Sequence, residues 1–241
     1  MAGEPGFLLM ASAPDQKTPS AFDPYATSYI ATVDQALAGT GVKASYFSRY
    51  RARYLCSSLE LAGTSKILDY GCGTGNLSAQ LLTALPELRI DGYDPSSQSI
   101  GAVPQSLQDQ GIFSSDLKDL GGGYDVIVMA MVMHHVVPAQ RVGVLQKIRG
   151  MMASNGRLVI FEHNPVNPLT RRIVDRCPFD ADAVLLGPAE AADLVQAAGL
   201  QHVRRDYLGF FPPILGRLDR FLRACPWGVQ YVLVSARAPR S

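Results

Sequence analysis

Five strand-like runs alternate with helical segments in the middle of the chain, and this alternation restricts the fold more than any other feature. Short apolar runs bounded by glycine or proline indicate buried strands, whereas longer stretches with apolar residues three or four apart indicate helices. The five runs are Lys66–Tyr70, Arg89–Tyr93, Gly111–Phe113, Tyr124–Ala130 and Arg157–Phe161. Strands that alternate with helices predict a doubly wound, mostly parallel α/β sheet.

Helix signals and two later strand candidates complete the predicted fold. Helices are expected at about Asn76–Leu85 and Pro138–Met152, and a third is opened by Pro188 and closed by Gly199. Two more strands are expected at Val203–Tyr207 and Val229–Ser235. The sequence therefore predicts a seven-stranded Rossmann-like sheet.

The remaining parts of the chain are assigned by composition and pattern. Residues 1–20 are rich in Ala, Pro, Ser and Gly and are expected to form a flexible tail. Residues 21–62 are aromatic-rich and helical in pattern, and we predict an N-terminal helical cap. Residues 63–241 then form the main domain. Residues 164–187 are predicted to be an insert in that domain, on the side where a substrate would bind.

Composition and charge restrict the class of partner. The 241 residues carry 22 Lys and Arg against 21 Asp and Glu, a formal net charge of +1, which argues against nucleic acid as the main partner. The four cysteines form no CxxC pair, so we expect no disulfide framework and a reducing cytoplasm. No apolar run approaches the roughly 20 residues that span a bilayer. The oligomeric state is left open between a monomer and a homodimer.

A glycine turn directly follows the first strand, at the sheet edge where ligands of such folds bind. Its glycines are Gly71, Gly73 and Gly75, and glycine lets a ligand approach the backbone closely. The dinucleotide fingerprint would need glycine at position 76, where Asn76 stands, and no Tyr-x-x-x-Lys pair occurs. Both facts disfavour an NAD(P)-dependent oxidoreductase. Asp94 ends the second strand about 20 residues later, where a carboxylate can bind ribose hydroxyls.

The stretch Ile67–Asn76 resembles the first motif of the class I S-adenosylmethionine-dependent methyltransferases almost letter for letter. Tyr93-Asp94 is similar to their ribose-binding motif, and Ser115-Asp116-Leu117 resembles their acidic site for adenine. The segment from Tyr124 through Val136 resembles their fourth motif, and Gly156–Ile160 resembles the fifth. The resemblance covers roughly residues 64 to 207. It implies S-adenosylmethionine as cofactor and S-adenosylhomocysteine as product.

The resemblance also implies roles for individual residues. Asp69 would help to hold the ammonium group of the methionine part, Asp94 would bind the ribose, and Asp116 would bind the adenine amine. Met129, near the end of the fourth strand, is included in the predicted cofactor site. The turn residues complete the set: Gly71, Cys72, Gly73, Gly75 and Asn76.

Three of the four histidines follow predicted strands, where an acceptor could bind. His134 and His135 follow the fourth strand, and Glu162 and His163 follow the fifth. We predict His163, His135 and Glu162 as catalytic, because a histidine near neutral pKa can remove a proton from a hydroxyl acceptor. A structural or cofactor-side role for His135 stays open. No dense ligand pattern occurs, so no metal site is expected.

Five residues are predicted to bind the acceptor. Tyr25 and Tyr29 would lie in a lid, and His134 would line the site; packing of the cap against the core is the alternative for the tyrosines. Arg171 and Arg172 in the insert would bind a phosphate or carboxylate, and ion pairing within the domain is their alternative.

The C-terminal stretch Phe210–Leu215, with three arginines after it, is amphipathic and basic. This stretch could contact a membrane surface, form a wall of the pocket or form a dimer contact, and the sequence leaves these alternatives open.

The expected function is methyl transfer to a small-molecule acceptor, with oxygen favoured by the histidines. The acceptor would be a precursor of a bacterial secondary metabolite, lipid or glycan. Carbon or nitrogen methylation, an oxidoreductase and a non-catalytic cofactor-binding subunit are the alternatives.

Overall fold

A computed structural model describes most of the chain. The described residues are 29–38, 42–59, 61, 65–181, 183–211 and 213–238. The predicted tail at residues 1–20 and the predicted lid residue Tyr25 lie outside them. Tyr29 begins the first described helix, but its side chain is outside the description.

A seven-stranded sheet forms the centre of the molecule. Its strands are β1 (Lys66–Tyr70), β2 (Arg89–Tyr93), β3 (Phe113–Ser114), β4 (Tyr124–Ala130), β5 (Met152–His163), β6 (Leu200–Leu208) and β7 (Gln230–Arg237). The spatial order is β3-β2-β1-β4-β5-β7-β6, and only β7 runs antiparallel to its neighbours. Strand order reverses between β1 and β4, which places a ligand crevice at the end of β1. The predicted α/β fold is confirmed.

Eight α-helices are present among the described residues. They are α1 (Tyr29–Ala36), α2 (Ala44–Ser58), α3 (Asn76–Ala84), α4 (Ser97–Gly101), α5 (Gln105–Gln108), α6 (Arg141–Met151), α7 (Pro168–Val174) and α8 (Pro188–Ala197). Apolar side chains of α6 and α8 pack with one set of strand residues, and those of α2 and α3 pack with another. Both faces of the sheet are therefore covered, which explains why β4 is a continuous apolar run rather than an alternating one.

Several element boundaries differ from the predicted ones. The third strand was expected at Gly111–Phe113 but lies at Phe113–Ser114, because the Ile112 N–H binds the Asp91 carboxylate. The helix expected from Pro138 begins at Arg141, after a 3-10 turn over Pro138–Gln140. Strand β5 already starts at Met152 with an irregularity in its pairing to β4, because Met152 pairs with Tyr124 before the regular register resumes.

The described helices include none that is both long and apolar enough to cross a bilayer. The basic C-terminal stretch contains a 3-10 helix over Pro213–Phe221. One of its following arginines, Arg223, turns inward: its guanidinium donates to Ser58 Oγ at 3.0 Å and lies 4.9 Å from the Tyr54 ring centre. This contact ties the C-terminal segment to α2.

Candidate active site

The glycine turn between β1 and α3 uses backbone conformations that favour glycine. Gly71, Gly73 and Gly75 have φ values of 81°, 54° and 80°, in the left-handed region where other residues are strained. The N–H groups of Gly71 and Cys72 both donate to the Tyr93 carbonyl, at 2.7 and 2.9 Å. The turn is therefore fixed to the end of β2.

The three glycines differ in what surrounds them. A side chain at Gly71 would collide with Val132, and one at Gly75 would lie 2.7 Å from a methyl group of Leu107. A Cβ on Gly73 would meet no atom within 4 Å. Gly71 and Gly75 are thus required by packing, whereas Gly73 leaves open space beside the backbone.

Asp94 connects the turn to the end of β2. One oxygen, Oδ2, accepts the Gly73 N–H at 2.9 Å, and the other, Oδ1, accepts the Ser96 N–H at 2.9 Å. The residue is 9% exposed and lines the cavity described below. Its carboxylate therefore shapes the turn and remains at the surface of the site.

Asp69, the penultimate residue of β1, is a buried carboxylate. The Ser78 hydroxyl donates to its Oδ2 at 2.7 Å, and the side chain is almost fully removed from solvent. Burial and the nearby Asp94 raise its pKa from 3.8 to about 6, although the Ser78 hydrogen bond and Arg51 oppose this shift. Asp69 is therefore ionised at neutral pH only at a cost to folding.

Replacing Asp69 by asparagine is expected to stabilise the protein without ligand at neutral pH. The folded pKa lies above the unfolded one, so the free energy of unfolding falls as pH rises from about 4 to about 6. Asparagine does not titrate, so the asparagine variant does not lose stability in this way. The difference in the free energy of unfolding between the variant and the wild type should be about 2 kcal/mol more favourable to the variant at pH 7 than at pH 4.5. Urea unfolding at both pH values measures the free energy of unfolding of the variant and the wild type. Ser78→Ala is the comparison variant and should lose stability, because it removes the hydrogen bond to Asp69. An equal effect at both pH values would contradict the burial argument.

One cavity of about 540 Å³ extends from the glycine turn to the three histidines. At one end it is lined by residues of the turn and of the ends of β1 and β2: Asp69, Gly71, Cys72, Gly73, Thr74, Asn76, Tyr93 and Asp94. At the other end it is lined by His134, His135, His163 and Asp180. Small-molecule sites commonly have volumes of roughly 300–1,000 Å³. The open space at Gly73 and the carboxylates of Asp69 and Asp94 in the wall make the first end suitable for a nucleoside cofactor with an ammonium group.

His134 is the centre of a buried network. Its Nδ1 is 2.5 Å from Glu162 Oε2, and its Nε2 is 3.4 Å from Asp180 Oδ1. The second Glu162 oxygen accepts the N–H groups of Val132 and Met133, at 3.1 and 2.7 Å. Burial opposes a charge on His134, but Glu162 and Asp180 outweigh it and raise the pKa to about 9. The strand end is thereby held in one arrangement.

His135 and His163 flank His134 and have the opposite electrostatic character. Burial, reinforced by the charge of His134, lowers the pKa of each ring to about 4. The ring centres of His135 and His163 lie 4.0 and 5.2 Å from that of His134. Among the described residues, the His163 ring nitrogens have no hydrogen-bond partner. A neutral His163 ring with a lone pair thus borders the cavity.

Some predicted site residues lie outside the cavity wall. Met129 is fully buried in the core, and the Asp116 carboxylate instead caps a short 3-10 helix through the Lys118 N–H at 2.9 Å. Gly75 shapes the turn without lining the cavity. Glu162 is 1% exposed and does not line the cavity; it binds His134 and the Val132 N–H, which do, and so has the place of a positioning residue.

The two arginines predicted to bind the acceptor are also outside the wall. Arg171 and Arg172 are exposed, and Arg171 Nε donates to the Pro165 carbonyl. The opposite face of α7 lines the cavity instead, through Thr170 and Ile173, together with Cys177 just after the helix. The acceptor end is therefore less charged than expected.

Sequence reasoning missed the contribution of α2. Phe47, Ser48 and Arg51 line the cavity from one face of this helix, and Arg51 Nε is 3.3 Å from Gln230 Oε1. Their spacing of three and four residues is the available sequence signal, because such residues share a helix face. Asp180 was not among the predicted site residues, because its place beside the histidines follows only from the tertiary fold.

Comparisons with known proteins agree with this site. The family model of a methyltransferase domain matches residues 68–158. A demethylmenaquinone methyltransferase of Thermotoga maritima is 30% identical over 123 residues, which make up 50% of this chain and 52% of that protein. The chain thus spans about half the length of this relative. A ubiquinone/menaquinone biosynthesis C-methyltransferase of Syntrophotalea carbinolica is 28% identical over 180 residues, covering 63% of this chain and 75% of the relative.

A solved structure supports the fold over most of the chain. The magnesium protoporphyrin IX methyltransferase of Synechocystis PCC 6803, with bound SAH, has a TM-score of 0.60 at 17% identity and covers 90% of this chain and 97% of its own. At this identity the likeness concerns the fold. The matched methyltransferase domain, the relatives and the strand order together support the class I S-adenosylmethionine-dependent methyltransferase family and the cofactor that were predicted from the sequence.

Proposed function

We propose that this protein transfers the methyl group of S-adenosylmethionine to a hydroxyl of a small molecule. The observation that carries the proposal is the single cavity that joins the glycine turn to the histidines. A donor held at the turn and an acceptor held at the histidines would share this space. Methyl transfer depends mainly on such alignment of two reactants.

Residues of the turn and of β2 would hold the cofactor. The backbone beside Gly73 admits it, Asp94 binds the ribose hydroxyls, and Asp69 attracts the ammonium group. When bound, S-adenosylmethionine supplies a methyl group on a positively charged sulfur, which an aligned nucleophile can displace. The chain itself has to orient the acceptor, exclude water and accept a proton from a hydroxyl.

The residues at the other end of the cavity suit these tasks. Val136, Ile173 and Cys177 provide apolar surface for a small, largely apolar acceptor. His163 has a ring nitrogen with no protein partner among the described residues, and we assign it as the group that accepts the proton; its pKa of about 4 keeps the ring neutral at pH 7 but makes it a weaker base than the near-neutral histidine expected from the sequence. His135 is the second candidate.

A carbon acceptor is the second candidate function. The two curated relatives are named as a demethylmenaquinone methyltransferase and a quinone-biosynthesis C-methyltransferase. Transfer to carbon on an electron-rich ring would use the same cofactor end and the same apolar walls. The carbon chemical shift of a ¹³C-labelled methyl group in the product distinguishes a bond to oxygen from a bond to carbon.

The direct test combines binding and transfer. Calorimetry should show binding of S-adenosylmethionine and S-adenosylhomocysteine but not of NADH. A screen of hydroxylated aromatic and aliphatic metabolites with methyl-labelled cofactor should then give a labelled product. Tight NADH binding without binding of the methyl donor would overturn the proposal.

A matched pair of glycine variants tests the cofactor end. Gly73→Ala is expected to lower cofactor affinity about tenfold, because its methyl group would enter the cavity and its φ of 54° is strained for alanine. Gly123 also has a positive φ, 75°, and open surroundings, but it does not line the cavity. Gly123→Ala should therefore cost similar stability, about 1 kcal/mol, and leave affinity unchanged. Equal affinities of the two variants would count against a cofactor at Gly73.

A further inference from the structure

We propose that His134, His135 and Asp180 form a binding site for a divalent transition-metal ion such as Zn²⁺. Each residue offers one ligand atom, and these three atoms all lie within 4.8 Å of one another. Imidazole nitrogen and carboxylate oxygen are ordinary ligands of zinc. The site combines residues that follow β4 with a residue of the insert after β5.

The separations between the ligand atoms fit a shared ion. Asp180 Oδ1 is 3.4 Å from His134 Nε2 and 3.5 Å from His135 Nε2. Both distances exceed the usual length of about 2.9 Å for a nitrogen–oxygen hydrogen bond. In a tetrahedral site with zinc–ligand bonds of about 2.0–2.1 Å, neighbouring ligand atoms lie about 3.4 Å apart. These two separations therefore suit ligand atoms that share one ion.

Glu162 supplies the outer contact that a metal-binding histidine usually has. Its carboxylate binds His134 Nδ1 at 2.5 Å, which directs Nε2 towards Asp180. A carboxylate on the far nitrogen fixes the orientation of a ligating imidazole and makes it a better ligand. Glu162 is itself held by the Val132 and Met133 N–H groups. The orientation of His134 is thus fixed before an ion arrives, and the proton on its Nε2 would be released when the ion binds.

The three ligands also border the cavity, so a further coordination position would face it. Catalytic zinc sites have three protein ligands and one open position, whereas structural sites are closed by four. An acceptor hydroxyl bound at that position would release its proton to His163 more readily; the oxygen would then form a bond to the methyl carbon as the S–CH3 bond breaks, leaving S-adenosylhomocysteine. This consequence rests on the proposed function, whereas binding of the ion does not.

Zinc binding is tested on the full chain, first treated with a chelator, by calorimetry without any acceptor. We expect one Zn²⁺ per chain in the wild type and at least tenfold weaker binding in His135→Gln and Asp180→Asn. His202→Ala is the matched control, because His202 lies on β6 away from the cavity, and it should bind like the wild type. His134 is left intact, because its removal would leave the buried Glu162 without its partner.

A Co²⁺-loaded sample gives a second measurement that does not depend on turnover. A tetrahedral cobalt site absorbs visible light much more strongly than hydrated cobalt, and this absorption should disappear in Asp180→Asn. Circular dichroism checks that each variant folds. If either His135→Gln or Asp180→Asn does not fold, the other variant provides the test. Absence of stoichiometric zinc binding in the wild type, or equal binding by the wild type and both variants, would overturn the metal site. Failure of the methyl-transfer screen would leave these binding results unaffected.

Discussion

Asp94→Ala is expected to weaken binding of S-adenosylmethionine by about 100-fold. The carboxylate accepts the N–H groups of Gly73 and Ser96, both at 2.9 Å, so its removal releases the glycine turn as well as the ribose. Hydrogen bonds to a charged group contribute about 1.5–3 kcal/mol each. In the complex the carboxylate would also accept hydrogen bonds from two ribose hydroxyls. Losing these two bonds costs about 3 kcal/mol or more of binding free energy, which corresponds to roughly 100-fold in affinity.

Calorimetry with S-adenosylhomocysteine measures this decrease in affinity, and urea unfolding shows whether the variant remains folded. Asp109→Ala is a suitable control, because Asp109 is exposed and its side chain binds only Gln105 among the described residues. Asp116→Ala is a second comparison, since the resemblance assigned it to adenine but its carboxylate caps a 3-10 helix. Asp94→Ala affinity within threefold of the wild type would contradict the ribose assignment.

His163→Ala is expected to lower turnover about 100-fold while cofactor affinity stays within threefold. The ring lines the cavity next to His134, and its nitrogens have no partner among the described residues. General base catalysis commonly contributes about 10²–10⁴ in rate. The decrease should appear in kcat rather than in cofactor binding, because the ring lies at the end of the cavity opposite the turn.

Two controls make the His163 result interpretable. His202→Ala removes a histidine that does not line the cavity and should leave turnover unchanged. His163→Gln preserves a polar side chain of similar reach and separates loss of packing from loss of the proton acceptor. Unaltered turnover in His163→Ala would remove His163 as the group that accepts the proton.

The sheet and the cofactor end could be predicted because their signals are local. A buried parallel strand such as β4 is continuously apolar, and a left-handed turn needs glycine, so both are visible in a few consecutive residues. Asp94 could be predicted for the same reason, since it directly follows a strand at a fixed spacing from the turn. The two-residue strand β3 was misplaced because its pairing depends on Asp91, a residue of another strand.

The acceptor end depended on contacts between distant segments, and there sequence reasoning was less successful. It predicted Arg171 and Arg172 in the site, whereas the other face of α7 lines the cavity. It predicted Glu162 as catalytic, whereas burial restricts it to positioning His134. A linear pattern does not say which face of a helix points inward, because that depends on what the helix packs against.

The sequence by itself determined the fold class, the family and the cofactor, because glycine turns and apolar strands impose their conformations locally. Only the tertiary structure brought Asp180 of the insert to His134 and His135, which lie far from it along the chain. The physical reason is that groups so far apart meet only after the sheet has formed and the insert has packed on its edge. The methyl donor was therefore readable from consecutive residues, and the acceptor wall was decided by packing.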